Sequence, residues 1–126
     1  MTTLKATSGA AHARILGVGS YRPARVVTNA EICEVIDSSD EWIRDRSGIV
    51  ERRFAADDET VADMAIAAAG KAMAHAGVGP DRIDAVILAT VTHLLATPSA
   101  AVEVAYRLGI ERAPAFDISA ACAGRT

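Results

Sequence analysis

Apolar and polar positions follow two different periods along this chain, and the places where one period gives way to the other mark its elements. An apolar run at residues 15–21 stops at Pro23, and a second extended piece follows at residues 25–28. Both read as strands, with Pro interrupting the ladder between them. Thr28 followed three residues later by Glu31 is a capping-box pattern, which satisfies orphan amides and predicts a short helix through about Ile36. Ser38 and Glu41 repeat the signature. They open a second short helix carrying Trp42, Ile43 and Arg46, closed by Gly48 because glycine tolerates the left-handed conformation that ends helices. Residues 50–54 read as a further strand.

From residue 60 to 76 the period becomes helical, with Val61, Met64, Ala65, Ala68, Ala72 and Ala76 on one stripe and Gly77 as the stop. The alanines permit close packing, at the cost of the larger apolar area that Leu or Phe would bury. After a polar turn at 77–84 comes AVILATV, residues 85–91, a continuous β-branched run suited to a strand buried on both faces of a parallel sheet. Thr97 and Pro98 then open a helix, with Pro at its first position, and Gly109 closes it near Leu108. A short strand at 115–118 leads into Ser119, Ala120, Ala121, Cys122, Ala123 and Gly124. Strand, helix, strand, helix, strand is the order of an α/β layered fold with right-handed crossovers. Residues 1–13 lack any period and are expected to form a flexible tail, leaving 14–126 as one domain.

Composition narrows the possible functions. The chain has 126 residues, with 13 Lys and Arg against 16 Asp and Glu, interspersed, for a net charge of -3. No basic stripe is present to neutralise a phosphate backbone, so no nucleic-acid partner is expected. The longest stretch free of these charges, 85–102, holds His93, Pro98 and several hydroxyls, too polar and interrupted for a membrane-crossing helix. The first residues show no apolar core of a secretion signal, which places the protein in the cytoplasm. There Cys33 and Cys122, the only two cysteines, are expected as free thiols.

Few residues have the context that chemistry requires. The Gly17-Val18-Gly19 stretch follows an apolar run, but the third glycine of a dinucleotide loop is missing and Pro23 stands where a helix should begin; an ordinary strand end or bulge is expected. His12, His75 and His93 lack metal spacing, so no metal is expected. Cys33 reads as a packed thiol within a helix. Cys122 follows a short strand among small residues that allow a sharp turn. A thiol near pKa 8.5 is only about 3% ionised at neutral pH, and a helix N-terminus raises that fraction. A nucleophile and a small buried hydrophobe are both open readings of Cys122 on these grounds. Trp42 and Arg46, four apart, share a helix face and could hold an adenine and a phosphate, or could be a core aromatic and a solvated cation. The absence of CxxC argues against a redox protein.

Taken together, GVGSYRPARVVTN, SSDEWIRDRSGI, ERRFAADDETVADMA, TPSAA and FDISAACAG resemble β-ketoacyl-acyl-carrier-protein synthase III, a thiolase-like condensing enzyme, from about residue 14 to 124. The resemblance implies the N-terminal half of a thiolase-like layered fold, truncated, with a mostly parallel sheet covered by helices. It implies that Cys122 is the nucleophile, that its backbone amide contributes to an oxyanion hole, and that an acyl-CoA primer condenses with malonyl-acyl-carrier protein through an acyl-cysteine, with no cofactor beyond the coenzyme A thioester itself. Trp42 would stack on the adenine, Arg46 would bind a phosphate, Ser38, where the family often has Thr, would hydrogen-bond the adenine, and Thr97, as in mycobacterial members, would leave room for long acyl chains. A homodimer is implied as well. The family's His and Asn lie beyond this stretch, and neither His75 nor His93 fits their role. Arg125, where the family continues with an apolar residue, departs from the pattern. The chain alone is expected to be inactive in condensation and poorly stable. The alternative is an inactive remnant that binds coenzyme A or dimerises.

Overall fold

The computed structural model describes Gly9 and residues 11–121. Most of the expected tail, and Cys122, lie outside the described residues. Strand β1 (Arg25–Thr28), helix α1 (Asn29–Cys33), helix α2 (Asp40–Ser47) and strand β2 (Glu51–Phe54) come first. Helix α3 (Val61–Ala76), a 3-10 turn at Pro80–Arg82, strand β3 (Val86–Ala89), helix α4 (Ala100–Arg107) and strand β4 (Ala115–Ile118) follow.

The two strand pairs differ in kind. β1 and β2 run antiparallel with Val27 opposite Arg52, whereas β3 and β4 run parallel with Ile87 opposite Phe116 and Leu88 opposite Asp117. A parallel pair needs a crossover, and α4 supplies it, packing on both strands and on α3. The core lies at this junction: Ala62 of α3 and Ala100, Ala101, Val104 and Ala105 of α4 are buried. Alanines there let α4 approach closely, so the seam is held by contact density more than by large side chains. Arg107 of α4 also pairs with Asp63 of α3 at 2.7 Å.

Of the two capping boxes expected, that of Thr28 and Glu31 forms and that of Ser38 and Glu41 does not, while Thr60 and Asp63 form one that was not expected. Thr28 caps α1 through the Glu31 amide, and Thr60 caps α3 through the Asp63 amide, each carboxylate returning to the cap amide. Gly48 and Gly77 close α2 and α3 with φ of 70° and 65°.

Five expectations are corrected. Residues 15–21 are extended but form no strand, because no described strand runs beside them; they lie across α3 instead. The Val18 backbone meets His75 Nδ1 at 3.2 Å and Lys71 Nζ donates to the Ser20 carbonyl at 3.0 Å. Helix α1 ends at Cys33, and residues 34–36 continue only as turns returning to Glu31 and Ile32. The cap of α2 is Ser39, whose hydroxyl accepts from the Trp42 amide, one residue later than expected. Helix α4 opens at Ala100 and not at Pro98, because its first free amides are taken by Asp117 of β4. Among the described residues strand β3 is covered on one face only: α4 packs on the strand and Val86 and Leu88 are half-buried, while Ile87 and Phe116 stand 55% and 46% exposed.

Candidate active site

The α1–α2 turn and the first turn of α2 bring Ser38 and Trp42 into one open hollow of about 540 Å3, shared with Ile36, Asp37 and Ser39. The local sequence dictates this placement. Once Ser39 takes the cap, Trp42 falls at the third helical position and Ser38 is left outside the helix. Trp42 is 59% exposed, so its ring face is available to a planar partner. The Ser38 hydroxyl is shut off from solvent without a hydrogen-bond partner among the described residues, a state that costs about 1–3 kcal/mol. Arg46, one turn further along α2, is exposed and makes no ion pair among the described residues. The carboxylate of Asp40 turns instead to Arg44, at 2.8 Å. An aromatic plate and an unpaired guanidinium thus lie along one short helix, with an unpartnered hydroxyl just before its cap, a set suited to a base and a phosphate.

Thr97 stands apart from this hollow. It is exposed at the end of the loop joining β3 to α4, just before Ser99, the first residue outside that helix. The same loop contributes Thr92, His93, Leu94 and Leu95 to a second hollow of about 380 Å3, against the N-terminal turn of α3. Cys122 lies outside the described residues, but its approach does not. Strand β4 ends at Ile118, and Ala121 takes a left-handed φ of 46°, a conformation that costs a residue with a Cβ about 1–2 kcal/mol. The chain therefore bends sharply immediately before the cysteine.

Among the described residues, no group of three His, Cys, Asp or Glu could hold a metal ion, and no helix is long and apolar enough to cross a membrane. Cys33 is a free, half-buried thiol on α1.

Three residues escaped the reading of the sequence. Asp117 takes both first amides of α4, and its one signal was a carboxylate inside an otherwise apolar strand, which must find donors if covered. Asn29 and Arg52 form a hydrogen-bonded pair beneath α2 that no local pattern announced.

The parallel β3–α4–β4 unit and the elements before it have a thiolase-like fold, shared with solved relatives. The solved priming β-ketosynthase from the R1128 polyketide pathway superposes with a TM-score of 0.84 at 52% identity, over 88% of this chain and 33% of that one. The family within that fold class is β-ketoacyl-acyl-carrier-protein synthase III, to whose N-terminal portion this chain is homologous. It is 58% identical over 124 residues to synthase III 1 of Streptomyces coelicolor, covering 98% of this chain and 36% of that protein. Against the mycobacterial synthase III of Mycobacterium ulcerans it is 56% identical, covering 98% and 37%. The chain thus spans little more than a third of the length of the curated relatives it matches. No protein-family model matches it.

Proposed function

We propose that this chain is the coenzyme-binding and nucleophile-bearing part of a β-ketoacyl-acyl-carrier-protein synthase III. In the first half-reaction the Cys122 thiolate attacks the carbonyl carbon of an acyl-CoA. A tetrahedral oxyanion forms against backbone amides that include that of Cys122 itself, and coenzyme A leaves as its thiolate. In the second, malonyl-acyl-carrier protein loses carbon dioxide. The resulting carbanion attacks the acyl-cysteine carbonyl, forming the new carbon–carbon bond and releasing the Cys122 thiolate. The groups that promote decarboxylation come from outside this chain, since His75 is engaged with the Val18 backbone and His93 lies in the loop after β3.

The observation that carries this reading is the single hollow shared by Ser38 and Trp42, with Arg46 one turn away and unpaired. Trp42 would receive the adenine face, Ser38 its hydrogen-bonding edge and Arg46 a phosphate. Thr97, small where a bulky residue would close an acyl channel, supports longer primers. The substrates are then acyl-CoA and malonyl-carrier protein, with no further cofactor, and the setting is cytoplasmic. The intact protein would be a homodimer.

Mass spectrometry of the intact protein after incubation with acyl-CoA tests the first half-reaction. One acyl group per chain on Cys122, lost in Cys122→Ala, is expected; a folded protein that takes up none overturns the reading. The second reading, a coenzyme A-binding or dimerising module without catalysis, rests on the same hollow. Tight coenzyme A binding without acylation would establish it.

A further inference from the structure

The loop between β3 and α4 is tied down at both ends to two consecutive residues of β4. At its start the Thr90 amide donates to the Ile118 carbonyl at 3.1 Å. At its end the amides of Ala100 and Ala101 donate to Oδ2 and Oδ1 of Asp117, each at 2.8 Å. Helix α4 has a local capping residue in Ser99, but its hydroxyl makes no capping bond and is buried without a partner among the described residues. Stability alone would be served by a local cap, which any Ser at that position can supply. Handing the cap to a carboxylate 16 and 17 residues away does something a local cap cannot: it fixes the start of the helix to the strand. Ala100 and Ala101 are fully buried, so the anchor point is rigid, whereas the loop it closes carries Leu94 at 97% exposure.

We infer that Asp117 is a positioning residue: its carboxylate, together with the Ile118 carbonyl, clamps residues 91–99 onto the end of β4 and so sets where Thr97 stands relative to the strand leading to Cys122. This rests on Thr97 lining the acyl path, as proposed above.

The test uses the intact protein with Asp117→Asn and with Asp117→Asn combined with Ser99→Asp, which restores a local cap without restoring the tie to β4. Two quantities are read: chymotryptic cleavage after Leu94 and Leu95, and the ratio of Cys122 acylation by long-chain acyl-CoA to that by acetyl-CoA. A loosened clamp is expected to raise cleavage about tenfold in both variants and to shift the acylation ratio about tenfold, as small misplacements at reacting centres do. Coenzyme A affinity, read from Trp42 fluorescence, should stay within about twofold, since α2 is remote from the clamp. Unchanged cleavage in Asp117→Asn, or full recovery of both quantities on adding Ser99→Asp, overturns the inference by reducing Asp117 to a helix cap. If the wild-type protein takes no acyl group at all, the proposed function falls, and cleavage alone decides whether the clamp exists.

Discussion

Asn29 and Asp40, at the starts of α1 and α2, are joined by a 2.7 Å hydrogen bond from the Asn29 amide to the Asp40 carboxylate. The same amide donates to the Ile49 carbonyl at 2.8 Å, while its oxygen accepts from Arg52 at 2.6 Å. Asn29 is 2% exposed, so one side chain, closed off from water, ties both helices to β2. Asp40 also accepts from Arg44, and these donors hold its carboxyl below the ordinary carboxylate range, Arg44 first and Asn29 second. Replacing Asn29 by Ala would strand the Ile49 carbonyl and part of Arg52. We expect a loss of about 2–4 kcal/mol in stability of the intact protein, read by urea denaturation. A loss below about 1 kcal/mol would mean that water replaces the side chain without penalty.

Gly19 and Ala68 show why the first apolar run carries glycines. A Cβ built on Gly19 would meet the Ala68 carbonyl and the Ala72 amide of α3, and one on Gly17 would lie 2.5 Å from the Ala72 carbonyl. These neighbours are backbone and cannot swing away. Gly19→Ala should therefore cost about 1–3 kcal/mol through displacement of the segment from α3. The comparison is Gly70→Ala, whose Cβ meets nothing within 4 Å and which should gain stability from helix propensity. Equal melting temperatures for the two variants would show that the close approach does not matter.

The legibility of the fold divides along the same line. The Thr28 capping box, the αL glycines and the apolar β3 and β4 runs act within a few residues, and helix α3 and the parallel pair lie where the pattern put them. What failed depended on distant chain. Residues 15–21 have the composition of a strand but no partner among the described residues, so the same pattern yields an extended segment against a helix. Adjacent serines 38 and 39 are equivalent in composition, and only the geometry reaching the Trp42 amide selects Ser39. Trp42 and Arg46 were legible as neighbours because four residues put them on one helix face, whereas Ser38 was read as the cap and joined them only through the family resemblance. Asp117 was not, because its role lies in amides 16 and 17 residues away.

Asp63 gives stability a defined acid limb. Its carboxyl is lowered to about 2, first by the Thr60 hydroxyl, then by Arg107 and the Thr60 amide. A folded-state value below the unfolded 3.8 means that the unfolded chain binds the proton more readily. The stabilisation is therefore complete above the unfolded value and is lost as pH falls through the window from about 4 to about 2. Asp63→Asn should flatten the fall in melting temperature across that window and lower it at neutral pH by loosening α3 from α4. An unchanged acid slope would place the sensitivity in other carboxylates.

Trp42 and Arg46 should fail differently if they hold different parts of one nucleotide. Trp42→Ala removes a stacking face worth about 1–3 kcal/mol, weakening coenzyme A binding by about tenfold or more at every ionic strength. Arg46→Ala should weaken binding mainly at low salt, because an exposed cation acting on a phosphate is screened over roughly 10 Å at 0.1 M. Calorimetric titration with coenzyme A at two salt concentrations separates them. Parallel salt dependence in both variants would break the division of labour.

Thr97→Phe places a bulky ring where the loop after β3 meets α4. Thr97 is exposed, so the substitution disturbs no packed neighbour in this part of the chain, and its effect should fall on what the intact protein places against it. If that is the acyl chain, each methylene excluded from an apolar channel forfeits about 1–3 kcal/mol of discrimination. Preference should then swing from long primers toward acetyl-CoA by at least about a hundredfold, through loss of long-chain acylation and not gain of short. Competition between acetyl- and lauroyl-CoA for Cys122, read by the mass of the adduct, measures the swing directly. A ratio that stays where it was, with acylation intact, would remove Thr97 from the acyl path and leave the clamp at Asp117 holding a loop with some other task.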